Sequence, residues 1–503
     1  MSSKTFQGPP QPEEETPLLR DGNTPRTKTP LPITQIVILL LLQLCEPITS
    51  HSIKPYINQL VSELPVVDGD EKKVGYYAGL IVSLYFAAEA VTILQWSRLS
   101  DKVGRKPVLL FGLLGTIISS ILFGLSRSFS ALVFSRCLNG ILNGNSGVMK
   151  SMMAELTDET NMAQGFSLIT ITWAVGGTIG PFIGGVLSRP QDRWPNLFSH
   201  PFWGEYPYFL PCLATAAYVL LSFSLAAIFL KETVNSDLVM KPNTEANSNL
   251  PPVGEGEILD GPVKDTEKPV PLRALLTRPV VVTVANYCMI ALLDMATGAL
   301  IPLVWSTSVE FGGLSMSPAS IGLWIAVYGF INCVIQFVAF PRLVGRFGPQ
   351  RVFIASIILF FPVYILFPSE NLVLRHSSRG LNLAAGLLIT LQILAMSFSD
   401  MGFSAIFMYI SSAAPNKRSL GAMNGVAQMM VSIQRAVGPA AATSLFAFSL
   451  ENNILGGNFA YVVLLCLVWV GLAVAVQLPR SLWEHDRFMK KGRSDLMRTD
   501  SES

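Results

Sequence analysis

Several ionisable side chains stand inside apolar stretches of this sequence, where a charge is costly and needs a reason. Glu46, in Leu44-Cys45-Glu46-Pro47, sits near the middle of the first apolar run. Burial disfavours the charged form of a carboxylate, so a Glu at that depth is suited to taking up and releasing a proton. Its expected partner is Arg136, within Arg136-Cys137-Leu138-Asn139-Gly140. Arg keeps its charge in proteins, so it can tune a carboxylate but cannot itself carry the proton. Asp294 and Arg435 stand within later runs and are candidates to contact a substrate or each other. Glu89 lies nearer one end of its run and is expected to help lock the basic loop that follows. Lys150 and Asp400, close to the ends of theirs, read as structural. The amides Gln43, Asn332, Gln336, Gln392, Gln428 and Gln434 share these runs with Trp173, Tyr287, Trp324 and Tyr328. An apolar, aromatic cavity with sparse polar groups suits amphiphilic organic molecules.

Holding such residues at mid-depth requires membrane-length helices, which need about 20 apolar residues each. The chain supplies runs at 33–57, 75–97, 107–126, 130–152, 163–187 and 207–230, then at 279–304, 318–340, 350–368, 381–406, 419–448 and 458–478. The expected fold is an all-α membrane protein of twelve transmembrane helices in two six-helix halves. Residues 31–230 and 276–478 form the halves, and the polar stretch 231–275 reads as a cytosolic linker. Residues 1–30 and 479–503 read as cytosolic tails. In the first tail, Glu14-Glu15-Thr16-Pro17-Leu18-Leu19 fits an acidic dileucine signal for a sorting adaptor.

Composition agrees: of 503 residues half are hydrophobic and 14% charged, against about 25% charged in soluble domains. Mean hydropathy is +0.46. The six Cys all lie in apolar runs and the four His are scattered, so neither disulfides nor a metal site are expected. Without a basic patch or a phosphate-binding G-x-x-x-x-G-K-[ST] loop, nucleic-acid partners, ATP-driven transport and enzymatic roles are disfavoured. No cofactor is expected; the expected partners are the bilayer, protons and a small-molecule substrate.

Two landmarks occur twice. Ser97-Arg98-Leu99-Ser100-Asp101-Lys102-Val103-Gly104-Arg105-Lys106 lies between two apolar runs and reads as a tight loop. Pro341-Arg342-Leu343-Val344-Gly345-Arg346-Phe347-Gly348 echoes it in the second half. The cations of both loops place that face in the cytosol. Gly176-x-x-x-Gly180-Pro181-x-x-Gly184-Gly185 is echoed at a similar offset by Gly438-Pro439. Such repeats point to duplicated halves.

Asp101, Gly104, Arg105 and Lys106 resemble the loop signature G-x-x-x-D-R-x-G-R-[RK] of the major facilitator superfamily, with Ser97 in place of its first Gly. The helix 5 glycines resemble the signature of that family's drug:proton antiporters, although Ser167 stands where a further Gly is usual. Arg136 to Gly140 resembles the helix 4 signature R-x-x-q-G, whose Arg is associated with proton coupling. Cys45-Glu46-Pro47-Ile48-Thr49 and Tyr76-Tyr77-Ala78-Gly79 look like fungal relatives of the zinc-induced-facilitator-like branch. The resemblance implies proton-coupled efflux of a small organic metabolite, toxin or drug, which can be the product of a secondary-metabolite pathway. It assigns Asp101, Arg105, Lys106 and the helix 5 glycines to conformational gating, and the membrane is the plasma or the vacuolar one. Uptake, uncoupled facilitation and a non-transporting nutrient sensor are the alternatives.

Overall fold

The structure, a computed structural model, describes residues 29–67, 71–158, 160–234, 277–376, 383–414, 419–480 and 482. Glu14, Leu18 and Leu19, most of the 231–275 linker and most of the C-terminal tail lie outside the described residues. Among the described residues every regular element is a helix. In order these are α1 (Ile33–Ser52), α2 (Ile57–Ser62), α3 (Glu71–Val103), α4 (Arg105–Gly124), α5 (Phe129–Leu142), α6 (Asn145–Leu156) and α7 (Met162–Leu187). Two short turns, α8 (Pro190–Arg193) and α9 (Phe202–Glu205), precede α10 (Phe209–Phe229). The second set is α11 (Arg278–Ser306), α12 (Pro318–Val334), α13 (Phe340–Phe347), α14 (Pro349–Ile358), α15 (Phe360–Arg375), α16 (Leu383–Ser399), α17 (Met401–Ser412), α18 (Leu420–Glu451) and α19 (Phe459–Ala475).

Among the described residues, nine helical stretches are long and apolar enough to cross a bilayer. Each of the other three expected spans is helical but falls short for its own reason. The run at 130–152 is broken between α5 and α6 at Asn143 and Gly144. The interior of α18 carries Asn424, Gln428, Gln434 and Arg435, and α19 has 17 residues. Phe182, Phe330, Leu387 and Trp469 lie exposed on the outside, an apolar surface suited to hydrocarbon.

The loop expected over residues 97–106 is in fact a single residue. Helix α3 runs on through Val103 and α4 begins at Arg105, leaving only Gly104 to reverse the chain at φ 115° and ψ 159°. That region of backbone space is open to Gly and closed to residues with a Cβ. Its echo behaves alike: Gly348, at φ 81° and ψ 159°, alone separates α13 from α14. The start of the expected linker is not free either. Both carboxylate oxygens of Glu232 accept hydrogen bonds from the first N–H groups of α4, at Arg105 (2.8 Å) and Lys106 (3.0 Å), which a helix leaves unpaired.

Helix α1 packs on α7 and α10, while α3 packs on α5 and α4 on α10. Helix α11 likewise packs on α18 and α19, and α15 on α16. Between the two sets, α3 lies along α18, and α7 touches α12 and α17. The α7 glycines explain the α1 contact. A Cβ on Gly176 would stand 2.6 Å from Pro47, one on Gly180 2.9 Å from the Ile48 carbonyl, and one on Gly184 would collide with the Ser52 carbonyl. Pro181 lies within the helix between them. Gly185 and Gly438 differ, since a Cβ there would meet Pro55 at 3.8 Å and Met295 at 3.6 Å, ordinary contact distances. The Gly438-Pro439 echo therefore matches the α7 glycine motif in sequence but not in close packing.

Candidate functional site

Two polar constellations join the first set of helices to α18. The first is at the basic-loop end. Asp101 accepts hydrogen bonds from the backbone N–H of Gly421 (2.9 Å) and Ala422 (2.8 Å), in the first turn of α18. A carboxylate there satisfies orphan donors and faces the positive end of the helix dipole. Arg105, fully buried, pairs with Asp101 at 2.7 Å and Glu155 at 2.8 Å and donates to the Ser100 hydroxyl at 2.7 Å. Lys106 Nζ reaches the Ala227 carbonyl at 2.8 Å. Ser97 is wedged against two glycines: a Cβ on Gly147 would lie 2.7 Å from its Oγ, and one on Gly425 2.6 Å from its Cβ. The residue that departs from the loop signature is thus accommodated by glycines opposite.

The second constellation continues along the same face of α18. Asn424 donates to Ser151 at 2.9 Å. Gln428 Oε1 accepts from Lys150 Nζ (2.7 Å) and the Tyr287 hydroxyl (3.2 Å). The Ser432 hydroxyl donates to Glu89 Oε2 at 3.0 Å. Arg435 Nη1 stands 3.8 Å from Glu46 Oε1. The steps 421, 424–425, 428, 432 and 435 keep to a single helix face, covering roughly 20 Å at 1.5 Å per residue.

Both cations of this centre are clothed in aromatic rings. Arg435 lies over Trp173 at 4.5 Å and Phe86 at 5.7 Å, and Lys150 over Phe407 at 4.2 Å and Tyr287 at 5.2 Å. The anions are less well served. Glu46 and Glu89 are 5% and 0% exposed, yet both oxygens of Glu46 and Oε1 of Glu89 make no hydrogen bond. Gln428 Nε2, Gln434 Oε1 and Arg435 Nη1 are likewise buried without a hydrogen-bond partner. Buried polar atoms left unpaired in a native fold call for an explanation, such as a ligand or a proton.

Several expectations need correcting. The Glu46–Arg136 pair does not form, because Arg136 lies over the Tyr85 ring at 4.6 Å while Arg435 takes the place beside Glu46. Glu89 does not lock the basic loop; it bonds Ser432 in the central cluster. Lys150 is a central residue and not a helix-end fixture, since α6 after the Asn143–Gly144 break directs it at Tyr287 and Gln428. Gln392 donates to the Val363 carbonyl at 3.0 Å and so acts as helix glue. Glu370, beyond the expected 350–368 helix, is fully buried in α15 with both oxygens unpaired.

The remaining candidates surround the cluster or lie apart from it. Asp294 is half-buried on α11 and feels the charge of Arg435. Tyr328 and Asn332 both donate to Asp400, the latter at 2.7 Å. Gln336 Oε1 accepts from Ser404 at 3.2 Å, and Ser404 meets Thr170 at 2.7 Å. Gln43 is buried with neither amide atom paired, and Trp324 is half-buried at the edge of the core. Phe86, Phe407 and Ser432 were missed because an aromatic or a hydroxyl in an apolar run carries no distinguishing pattern.

Comparison with known proteins gives consistent results. Residues 74–314 match the family model of the Major Facilitator Superfamily. The chain is 31% identical to the major facilitator-type transporter psiT2 of Psilocybe cyanescens, over 91% of this chain and 93% of that protein. It is 30% identical to the major facilitator superfamily multidrug transporter mfsB of Aspergillus fumigatus, over 84% and 80% of the two chains. The plant branch is represented by Protein ZINC INDUCED FACILITATOR 1 of Arabidopsis thaliana, 27% identical over 88% and 91%. In fold, the chain resembles the crystal structure of the human organic anion transporter MFSD10 (TETRAN), with TM-score 0.63, 16% identity and coverage of 89% and 100%.

Proposed function

Since this chain belongs to the major facilitator superfamily, we propose that it exports a small organic compound in exchange for protons. In this reading twelve spans form two halves, residues 31–230 and 276–478, that rock about a midplane cavity. The observation that carries the proposal is Glu46, buried at mid-helix with neither oxygen hydrogen-bonded and its one ion-pair partner among the described residues, the Arg435 guanidinium, 3.8 Å away. Glu89 supplies a second buried carboxylate in the same cluster.

A proton reaching Glu46 cancels the charge facing Arg435. At 4 Å and an effective dielectric of 20 such an attraction is about 4 kcal/mol, a scale that biases a two-state equilibrium by roughly three decades. Arg435 is on the same α18 face whose first turn is held by Asp101. Protonation at the centre and opening at the basic-loop end are therefore linked through one rigid helix. With Asp101 seated on α18 the basic-loop face is shut. The packing of α7 glycines on Pro47, Ile48 and Ser52 keeps the helix bearing Glu46 tight against its neighbour.

The rings of Trp173, Phe86, Tyr287 and Phe407 around the charged groups favour an amphiphilic organic substrate with an apolar body. Export is favoured over uptake by the glycine motif of α7, and the relative from Aspergillus fumigatus is named a multidrug transporter. The plasma membrane and the vacuolar membrane both suit an exporter of this kind. Counterflow in reconstituted vesicles, with and without an imposed pH gradient, tests the proposal. Flux that ignores the gradient in the wild-type protein would overturn it in favour of facilitation.

A further inference from the structure

Arg136 is left without a role by the central cluster. It is 4% exposed on α5 and keeps its charge whatever its surroundings. Among the described residues no carboxylate lies within ion-pair distance of it, whereas Arg105, Arg127, Arg189 and Arg435 each have at least one. The groups acting on it are Tyr85, Tyr56, Cys212 and Cys137, all neutral in their ordinary protonation state. A buried charge without a counter-charge is strongly disfavoured, and stacking on the Tyr85 ring supplies no negative charge to neutralise it.

Arg136 lines a small cavity away from α18, between α1, α4, α5 and α10. Its walls are mixed, with Thr49, Ser119, Ser120, Asn139 and Thr215 beside the apolar Ile53 and Phe123. Three of those hydroxyls turn their protons back to helix carbonyls: Thr49 to Cys45, Ser119 to Thr116 and Thr215 to Cys212. The side chains of Ser120 and Asn139 make no hydrogen bond to the described residues, and Arg136 Nε is buried without a partner. The uncommitted donors in the cavity are thus a guanidinium, a hydroxyl and an amide. The space holds about one water-sized particle.

We propose that this cavity binds a monatomic anion, chloride, as the counter-charge of Arg136. Water could satisfy the donors but would leave the charge uncompensated; chloride, only slightly larger than water, is the common anion that departs least from the size of the space. The site lies within the first helix set and is separate from the proton site at Glu46, so the two readings stand or fall independently.

Thermal unfolding of the purified full-length protein, titrated with sodium chloride against sodium gluconate at constant ionic strength, tests this. Wild type should show a midpoint that rises by a few degrees and grows with the logarithm of chloride once the site is filled, as binding to the folded state alone requires. Arg136→Gln should lose that dependence. Asn139→Asp guards against a simple folding failure of Arg136→Gln. It places a tethered carboxylate in the same cavity and should raise the midpoint in gluconate while abolishing the response to chloride. Crystals grown in bromide should show an anomalous peak beside Arg136. A flat wild-type titration, an Asn139→Asp variant that responds like wild type, or bromide crystals with only water in the cavity would each overturn the proposal.

Discussion

The two ends of the α18 seam use the same residue types to opposite effect. At the basic-loop end Asp101 accepts two backbone hydrogen bonds and an Arg, and that Arg meets a second carboxylate and a hydroxyl. At the centre Glu46 has no hydrogen bond and a cation at 3.8 Å, and Glu89 has a single hydroxyl partner. A saturated polar network fixes one arrangement, while an unsaturated one stays open to a proton or a ligand. In the proposed mechanism, the difference is that between a latch and a site.

The largest effect should come from breaking the latch. Removing one partner of a buried, hydrogen-bonded pair costs about 3–5 kcal/mol. Asp101→Ala should therefore open the basic-loop face, so that a Cys at Ser97 becomes reactive to a membrane-impermeant thiol reagent from that side. Unchanged protection would mean that Asp101 does not hold the two helix sets together. Gly184→Val comes next. Its side chain would collide with the Ser52 carbonyl, so transport should be lost, whereas Gly438→Ala, with 3.6 Å to Met295, should transport within a few-fold of wild type. Equal losses in the two variants would contradict the asymmetry of the echo.

Gln392→Leu should lower stability by about 1 kcal/mol, the worth of one hydrogen bond, with substrate affinity unchanged in a binding titration. A shifted affinity would return Gln392 to the cavity. The smallest effect concerns Asp158, outside the spans, whose carboxyl the hydroxyls of Thr160 and Thr29 hold below its usual range. A depressed carboxylate contributes stability above its unfolded value, near 4, and loses it as pH falls through the folded value. Hydrogen exchange at Asp158, Thr160 and Asn161 should thus show constant protection from pH 7 to about 5 and weaken only below roughly pH 4.

Helix order and family were legible because hydropathy reports burial in lipid directly, and because the Asp101–Lys106 motif imposes a specific geometry. Glu46 could be singled out by the same logic, since a lone carboxylate in a long apolar run stands out. Its partner could not. Arg136 and Arg435 are equivalent by hydropathy, and only the packing of α18 along α3 decides which one stands at 3.8 Å. Lys150 was misplaced because the break at Asn143–Gly144 alters the course of its helix, and a polar pair in an apolar run signals neither a break nor its direction. Gly104 shows the converse: a charged decapeptide read as a loop is nearly all helix, because a single Gly makes the turn.

The central claim is that Glu46 couples flux to protons. Counterflow of small aromatic and cationic compounds should be measured in vesicles holding wild type or Glu46→Gln, with and without a pH gradient. The account predicts that the gradient drives accumulation through wild type, and that Glu46→Gln retains exchange but loses the driven part. Gradient-driven accumulation that survives intact in Glu46→Gln would contradict it.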